Sequence, residues 1–427
     1  MEMNYKLCQM QKKSNPMLTI FLTVFIDLLG VGVLIPVMPL LLGDPTSPYY
    51  LLPTGWSTEQ GYVLLGLLTA VFPLMQFFAT PILGQLSDKY GRKDILLISL
   101  FGTSLSYVLF AYGIMSRNLP LLFVSRALDG ITGGNISVAQ AAIADISLPE
   151  NRAKNFGLIG MAFGLGFIFG PFLGGKLSDP TVQWWFNAAT PFWFAALLSS
   201  INGLSVGAFF TETHKNPNRE QKIHWLRSLN NVKNAYDLKE IRHLFLTTFL
   251  FNSGFTFFTT FFGVYLISKF AYTQGQIGDF FAVVGLCIAF SQAIVVRKAA
   301  KRFKNDQILR ISLLGTGLMI FLHIVPAAAW QLFIITPFFA AFNGLSQANL
   351  NALTSRSVGP EAQGRIMGIN TGIQALAQAI PPIISGFVVA SFAPSASIIV
   401  SAVLIICSGV AFNLLHKKQL KLTLAIK

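Results

Sequence analysis

Twelve stretches of this 427-residue chain are almost wholly apolar for about twenty residues each. They lie near 17–42, 62–83, 95–115, 119–143, 155–177, 188–211, 243–268, 278–296, 307–327, 330–353, 365–389 and 395–415. A helix that crosses a bilayer needs ~20 consecutive apolar residues. The pattern therefore predicts an all-α integral membrane protein with twelve transmembrane helices. The composition agrees: 53% of residues are hydrophobic and 11% charged, whereas soluble domains carry about 25% charged residues. Gly and Pro interrupt several runs, which membrane helices tolerate better than soluble ones. The first run is too long for the ~7–15-residue core of a signal peptide, so 17–42 reads as a retained first span. Cys8, Cys287 and Cys407 are scattered, which argues against a disulfide framework or a metal site.

A net charge of +14 is compatible with nucleic-acid binding until its placement is considered. With the amino terminus inside, all Lys and Arg except Arg117, Arg126, Lys176 and Lys269 fall on one side or in loops facing it. That bias is the positive-inside rule. It assigns the charge to topology rather than to nucleic acid, with both termini cytoplasmic.

The chain also repeats. Residues 95-ILLISLFGTS-104 and 308-ILRISLLGTG-317 agree at seven of ten positions, 213 apart. Pro149-Glu150, Gly157, Pro171 and Gly175 recur 211 positions later as Pro360-Glu361, Gly368, Pro382 and Gly386. Two six-helix halves in the same orientation follow, as in transporters built from parallel repeats. The expected organisation is a cytoplasmic tail at 1–16, a first half at 17–211, a cytoplasmic linker at 212–242, a second half at 243–416 and a tail at 417–427. Trp225, Leu226, Leu229, Val232, Ala235, Tyr236 and Leu238 give the linker the pattern of a short amphipathic helix.

Between spans 2 and 3 stands 84-GQLSDKYGRKD-94, a knot of charge between two apolar runs. A topogenic loop needs only net positive charge. The second copy, RKAAKRFKND, meets that need with Arg297 in place of Gly84 and Lys301 in place of Asp88. The first copy therefore carries something more. Its Gly84, Asp88, Gly91, Arg92 and Lys93 resemble the signature of the major facilitator superfamily. FVSRALDGITGG places Arg126 and Gly130 as that superfamily's second signature does. GFIFGPFLGG, with Gly166, Gly170, Pro171, Gly174 and Gly175, resembles the string associated with proton-coupled antiporters. DLLGVGVLIPVMPLL, with Asp27, Gly30, Pro36 and Pro39, resembles the twelve-helix drug:proton antiporters, and ITGGNISVAQAAIADI resembles their tetracycline-efflux branch. The chain departs from that branch at Ser106, where the branch has Asp, and at Asp129, where it has a small residue. Its span 9 has His323 and no acid.

The charges inside the spans carry the chemistry. A charged side chain at mid-bilayer costs at least ~2.5–3.5 kcal/mol and usually faces a partner or a cavity. Asp27 and Asp129 each lie ten residues into their spans, ~15 Å deep, at the midplane of a ~30 Å core. Arg126 lies one turn from Asp129 on the same helix face. The resemblance places spans 1 and 4 around the central cavity. Asp27, Arg126 and Asp129 are therefore the expected coupling cluster, read against a static ion pair that tethers two helices. His323 either titrates or packs. Asn343, Gln347, Asn370 and Gln374, with Asn351, either face the cavity or bond helix to helix. Asp145 and Asp279 are expected to reach water. Gly166, Gly170 and Gly174 form a small-residue stripe suited to close packing, or to a pivot of one half against the other.

The resemblance implies the major facilitator fold and a secondary transporter that works by alternating access, typically as a monomer in a bacterial inner membrane. The cytoplasmic signature implies a gating latch between the halves. The expected partners are protons, a small-molecule substrate and the lipid bilayer, with no nucleic acid. The expected activity is proton-coupled export of an amphiphilic compound, tetracycline-like or multidrug. A proton-coupled metabolite importer and a non-transporting receptor or assembly protein stand as alternatives. An enzyme is not expected, nor any cofactor or metal: no nucleophile, base and orienter can be assembled. Energy would come from the proton gradient.

Overall fold

The computed structural model describes residues 16–147, 152–214, 219–220, 222–238, 241–358 and 360–426, without the side chains of 152–154, 360–365 and 418–426. Lys6, Cys8, Lys12, Lys13, Pro149, Glu150, Lys215 and Lys239 lie outside the described residues.

Among the described residues the chain is helical and has no strand. The helices are α1 Pro16–Leu42, α2 Thr58–Tyr90, α3 Arg92–Met115, α4 Leu119–Thr132, α5 Ile136–Ile146, α6 Arg152–Ser178 and α7 Thr190–Phe209. They continue with α8 Arg227–Asp237, α9 Arg242–Phe270, α10 Gln274–Phe290, α11 Arg297–Arg302, α12 Asn305–Leu322, α13 Leu332–Arg356, α14 Pro360–Ser391 and α15 Pro394–Ile426. Ten helical segments are by themselves long and apolar enough to cross a membrane. The other two stretches expected to span are helical but fall short of that measure among the described residues. Span 4 is α4 and α5 joined by a 3₁₀ turn at Gly133–Asn135, and span 9 is the 18-residue α12, ~27 Å long. Span 8 runs through α10, a π segment at Ser291–Val296 and α11.

Local chemistry sets the helix ends. The Asn118 side chain accepts from the Leu121 N–H to cap α4, with proline in its first turn. Thr273 and Gln276 form a capping box at the start of α10. The charged stretch after span 2 is not a loop. α2 runs on to Tyr90 and α3 begins at Arg92, so one residue separates them. That residue is Gly91 with φ 108°, a conformation that L side chains rarely adopt. The linker forms α8 as expected, but its apolar residues are not gathered inward. Ala235 is buried, whereas Trp225, Leu226, Leu229 and Tyr236 are exposed.

Contacts divide the chain into two units. One comprises Met1–Val37 with Met75–Arg227, the other Met38–Leu74 with Ser228–Lys427. The division runs through α1 and α2 as well as the linker.

In the first unit, buried Ile20, Val24, Leu96, Leu100, Ala142 and Val206 belong to one core. Here α6 lies backbone to backbone on α1. A Cβ on Gly166 would stand 2.7 Å from Leu28 Cβ, and one on Gly170 2.8 Å from Gly32 Cα. One on Gly174 would strike the Val33 carbonyl. The stripe's partner is thus α1 of the same unit, the close packing that such a stripe is suited to. Hydroxyls tie further pairs: Ser199 Oγ donates to the Leu100 carbonyl at 2.9 Å, and Ser104 Oγ to that of Ala196 at 2.9 Å.

The second unit is packed with phenylalanine, including fully buried Phe251, Phe258, Phe261, Phe262 and Phe339. Ser401 Oγ donates to the Gly254 carbonyl at 2.6 Å, where a Cβ on Gly254 would meet Ile405 at 2.5 Å. The sequence repeat reappears in side-chain contacts. Thr103 on α3 bonds Thr132 at 2.9 Å; its counterpart Thr316 on α12 bonds Ser346 at 3.3 Å.

Candidate functional site

The break in span 4 positions the central cluster. Gly133-Gly134-Asn135 bring that span against α2. A Cβ on Gly134 would stand 3.0 Å from the Thr80 backbone. The Gln76 side-chain amide donates to the Gly133 carbonyl at 2.8 Å, and Ser137 Oγ to that of Thr80 at 3.0 Å. The turn is therefore held by hydrogen bonds, and it carries the fully buried Asn135.

Asn135 faces Asp27 on α1. Both are buried, and beyond this carboxyl–amide contact their side-chain polar atoms make no tight hydrogen bond. On α4, Arg126 and Asp129 form a buried ion pair at 2.5 Å. Asp129 is close enough to Asp27 for their charges to interact. Tyr107 of α3 is buried among the three, within electrostatic reach of each. Its hydroxyl occupies the space that a Cβ on Gly30 would take.

Ser106, where the tetracycline branch has an acid, lies beside the Asp129 carboxyl. Ser125 Oγ of α4 donates to the Ser106 carbonyl at 2.7 Å, holding α4 to α3. The acid carried by α4 thus stands next to the place where the branch carries one on α3.

The arrangement is one ion pair, Arg126–Asp129, beside a buried carboxyl that faces an amide, Asp27 and Asn135. Burying an ion without compensation is costly. A carboxyl so placed has the chemistry to take a proton or a cationic group, and the nearby pair shares the same low-dielectric space. Sequence reasoning named Asp27, Arg126 and Asp129 and missed Asn135. The available signal was Gly-Gly-Asn, a helix-breaking polar triplet within an apolar run.

The charged signature forms a second cluster. Arg92 is buried and pairs with Asp88 at 2.6 Å and Asp145 at 3.1 Å, and also donates to Ser87 Oγ at 2.6 Å. Asp145 is exposed, as expected from its place near a helix end, and also pairs with Arg92. It braces α5 against the α2–α3 junction. Glu212, at the start of the linker, accepts from the backbone N–H of Arg92 at 3.0 Å and of Lys93 at 2.9 Å. It caps the first turn of α3 from 120 residues away. A Cβ on Gly91 would stand 2.6 Å from Glu212 Oε2, so the glycine serves both turn and cap. Burial pushes the Glu212 carboxyl up, but the N–H groups of His214, Lys93, Arg92 and Thr213 outweigh it and hold it below the usual carboxylate range. Lys93 Nζ donates to the Gly207 carbonyl at 2.8 Å. Gly84 makes no tight contact: its Cβ would meet only Ser137 Oγ, at 3.7 Å. These partners all belong to the first unit.

The second-half candidates are dispersed. His323 is fully buried, with Nδ1 2.7 Å from the Met319 carbonyl and its ring among Phe258, Phe262 and Phe339 at 5.4–5.7 Å. Asn370 on α14 reaches Asn351 on α13 at 3.5 Å, a helix-to-helix bond. Asn343 is buried; Gln347 and Gln374 are half-buried. The π segment is joined to α13 at Ser291, which donates to the Ala341 carbonyl at 3.4 Å. Among the described residues no group of three His, Cys, Asp or Glu has metal-binding geometry.

The model of the Major Facilitator Superfamily matches residues 20–380 and 244–422. The chain is 31% identical over 387 residues to the tetracycline resistance protein, class C, of Escherichia coli, covering 90% of this chain and 92% of that protein. It is 32% identical over 387 residues to the class H protein of Pasteurella multocida, covering 88% of this chain and 89% of that one. The crystal structure of the human organic anion transporter MFSD10 superposes with a TM-score of 0.69 at 24% identity, covering 93% of this chain and 98% of that chain.

Proposed function

This chain belongs to the major facilitator superfamily and is a multi-pass membrane transporter; from that premise we propose that it is a proton-coupled antiporter that expels an amphiphilic small molecule, tetracycline-like or broader in range. The observation that carries the reading is Asp27: a buried carboxyl at mid-span that faces the Asn135 amide and lies within reach of the Arg126–Asp129 pair. A proton on Asp27 removes one negative charge from the cluster. A cationic or zwitterionic guest offsets the same charge without a proton. The two then compete for one site, and competition at one site is the minimal requirement for exchange. The gradient supplies ~2.3 kcal/mol per charge per 100 mV.

Export, rather than import, is supported by the resemblance of the α6 glycine string to antiporters and by the names of the two resistance proteins. The side rich in Lys and Arg faces the cytoplasm in this reading, most naturally of a bacterial inner membrane. The Asp88–Arg92–Asp145–Glu212 cluster then braces the cytoplasmic ends of α2, α3 and α5, so that they move as one body during gating.

The test is a pH-sensitive dye in inside-out vesicles energised by respiration, with tetracyclines, lipophilic cations and fluoroquinolones added singly. A compound that dissipates the gradient in wild-type vesicles and has no effect with Asp27→Asn is the expected result. Dissipation of equal size in both kinds of vesicle removes Asp27 from coupling. No response to any compound turns the search to metabolite uptake.

A further inference from the structure

The second unit contains a groove lined by none of the residues of the Asp27, Arg126 and Asp129 cluster. It has a volume of about 400 Å³ and is lined by Arg310, Ile311, Leu314, Gly315 and Leu318 of α12, Phe342 of α13 and Asn413 of α15. Ile311 and Leu318 are exposed, and in a membrane-spanning helix exposed apolar residues face lipid. Gly315 makes the groove: a side chain there would run into the Phe342 ring, 2.6 Å from the Cβ position. The strip from Arg310 to Leu318 is ~12 Å long, long and narrow rather than rounded.

One end is charged. Arg310 lies five residues into α12, ~7.5 Å from the turn at which the chain enters the membrane. Its side chain is partly exposed and pairs with Asp306 at 3.7 Å. His416 of α15 is within electrostatic reach of Arg310 and Asp306 and bonds His243 at 3.1 Å. The preceding stretch adds Arg297, Lys298, Lys301, Arg302 and Lys304, all exposed. The groove is therefore apolar along its length and cationic where it meets the membrane surface.

We propose that this groove holds one acyl chain of an anionic phospholipid, with the lipid phosphate meeting Arg310. The exposed part of the Arg310 guanidinium meets a phosphate oxygen there, and Arg is suited to such contacts. Basic pockets between membrane helices select anionic headgroups for the same electrostatic reason. A second copy of the chain is a poorer occupant, since nothing in the groove matches its charged end with an acid. The inference stands independently of the transported substrate.

The test is native mass spectrometry of the delipidated protein in detergent, titrated with dioleoylphosphatidylglycerol or dioleoylphosphatidylcholine. The expected result is one phosphatidylglycerol per chain, held about fivefold more tightly than phosphatidylcholine. Arg310→Gln should erase that preference and Arg310→Lys should keep most of it. Leu318→Trp, which fills the groove, should weaken both lipids. Thermal unfolding confirms that each variant is folded, and the separate charge and groove variants allow the test to proceed if one is not. An unchanged preference in Arg310→Gln overturns the proposal. So does unchanged binding of both lipids in Leu318→Trp, or a second protein chain in place of the lipid.

Discussion

At the scale of single residues, the site depends on what is absent as much as on what is present. Gly30 has no side chain, and the Tyr107 hydroxyl uses that space. Gly30→Ala should therefore displace Tyr107 from the charge cluster and destabilise the protein by about 1–3 kcal/mol, the usual range for overpacking. Adding Tyr107→Phe, which removes the hydroxyl, should recover part of the loss in thermal unfolding of the purified protein. If the double variant is no more stable than Gly30→Ala, the clash is not with that hydroxyl. Asp27, Arg126 and Asp129 were legible in the sequence because charge within an apolar run is rare and costly. Asn135 was not, because buried amides in membrane helices are common and only a contact across helices distinguishes one from another. Asp145 reaches water as its place near a helix end suggests; what the sequence did not show is its pair with Arg92, 53 residues away.

At the scale of elements, one helix contains its own controls. Gly170 and Gly174 of α6 have no room for a Cβ, whereas Gly160 and Gly164 have nothing within 4 Å of theirs. Gly170→Ala and Gly174→Ala should lower the melting temperature by separating α6 from α1. Gly160→Ala and Gly164→Ala should leave it unchanged or raise it, since Ala is favoured over Gly in a helix by up to about 1 kcal/mol. Equal losses at all four positions would mean that the stripe acts through something other than this contact. The α2–α3 junction offers a pH test. Glu212 ionises more readily in the folded protein than in the unfolded chain. Its contribution is therefore present above about pH 4.3, the unfolded value, and is lost as the pH falls through the lower folded value. Glu212→Gln should be less stable than wild type by about 1 kcal/mol at pH 7, the usual loss for a helix cap. The gap should close in acid; a gap that is constant down to pH 3 would exclude a role for the charge. The sequence reading of this region as a loop missed the junction, since polar residues at the end of a span look alike whether the helix stops or continues.

At the scale of the whole molecule, the positive-inside reading can be tested directly. In a protein with Cys8, Cys287 and Cys407 replaced by Ser, Arg302→Cys should react with a membrane-impermeant thiol reagent only from the cytoplasmic side. Trp184→Cys, at an exposed residue in the turn between α6 and α7, should react only from outside. Labelling of both from one side would reverse or abolish the proposed topology. The membrane class, the spans and the repeat could be read from the chain because each is a property of local composition. An apolar run must leave water wherever it lies, and a repeated string requires no fold to be recognised. The 3₁₀ break in span 4 and the division of α1 and α2 between two contact units could not. Neither could the Glu212 cap, the Asp27–Asn135 face or the Arg310 groove. Each depends on which surfaces meet after helices have packed, and that is decided by shape and by the location of unpaired polar atoms. Those are properties of residues distant in the chain, and only the tertiary structure brings them together.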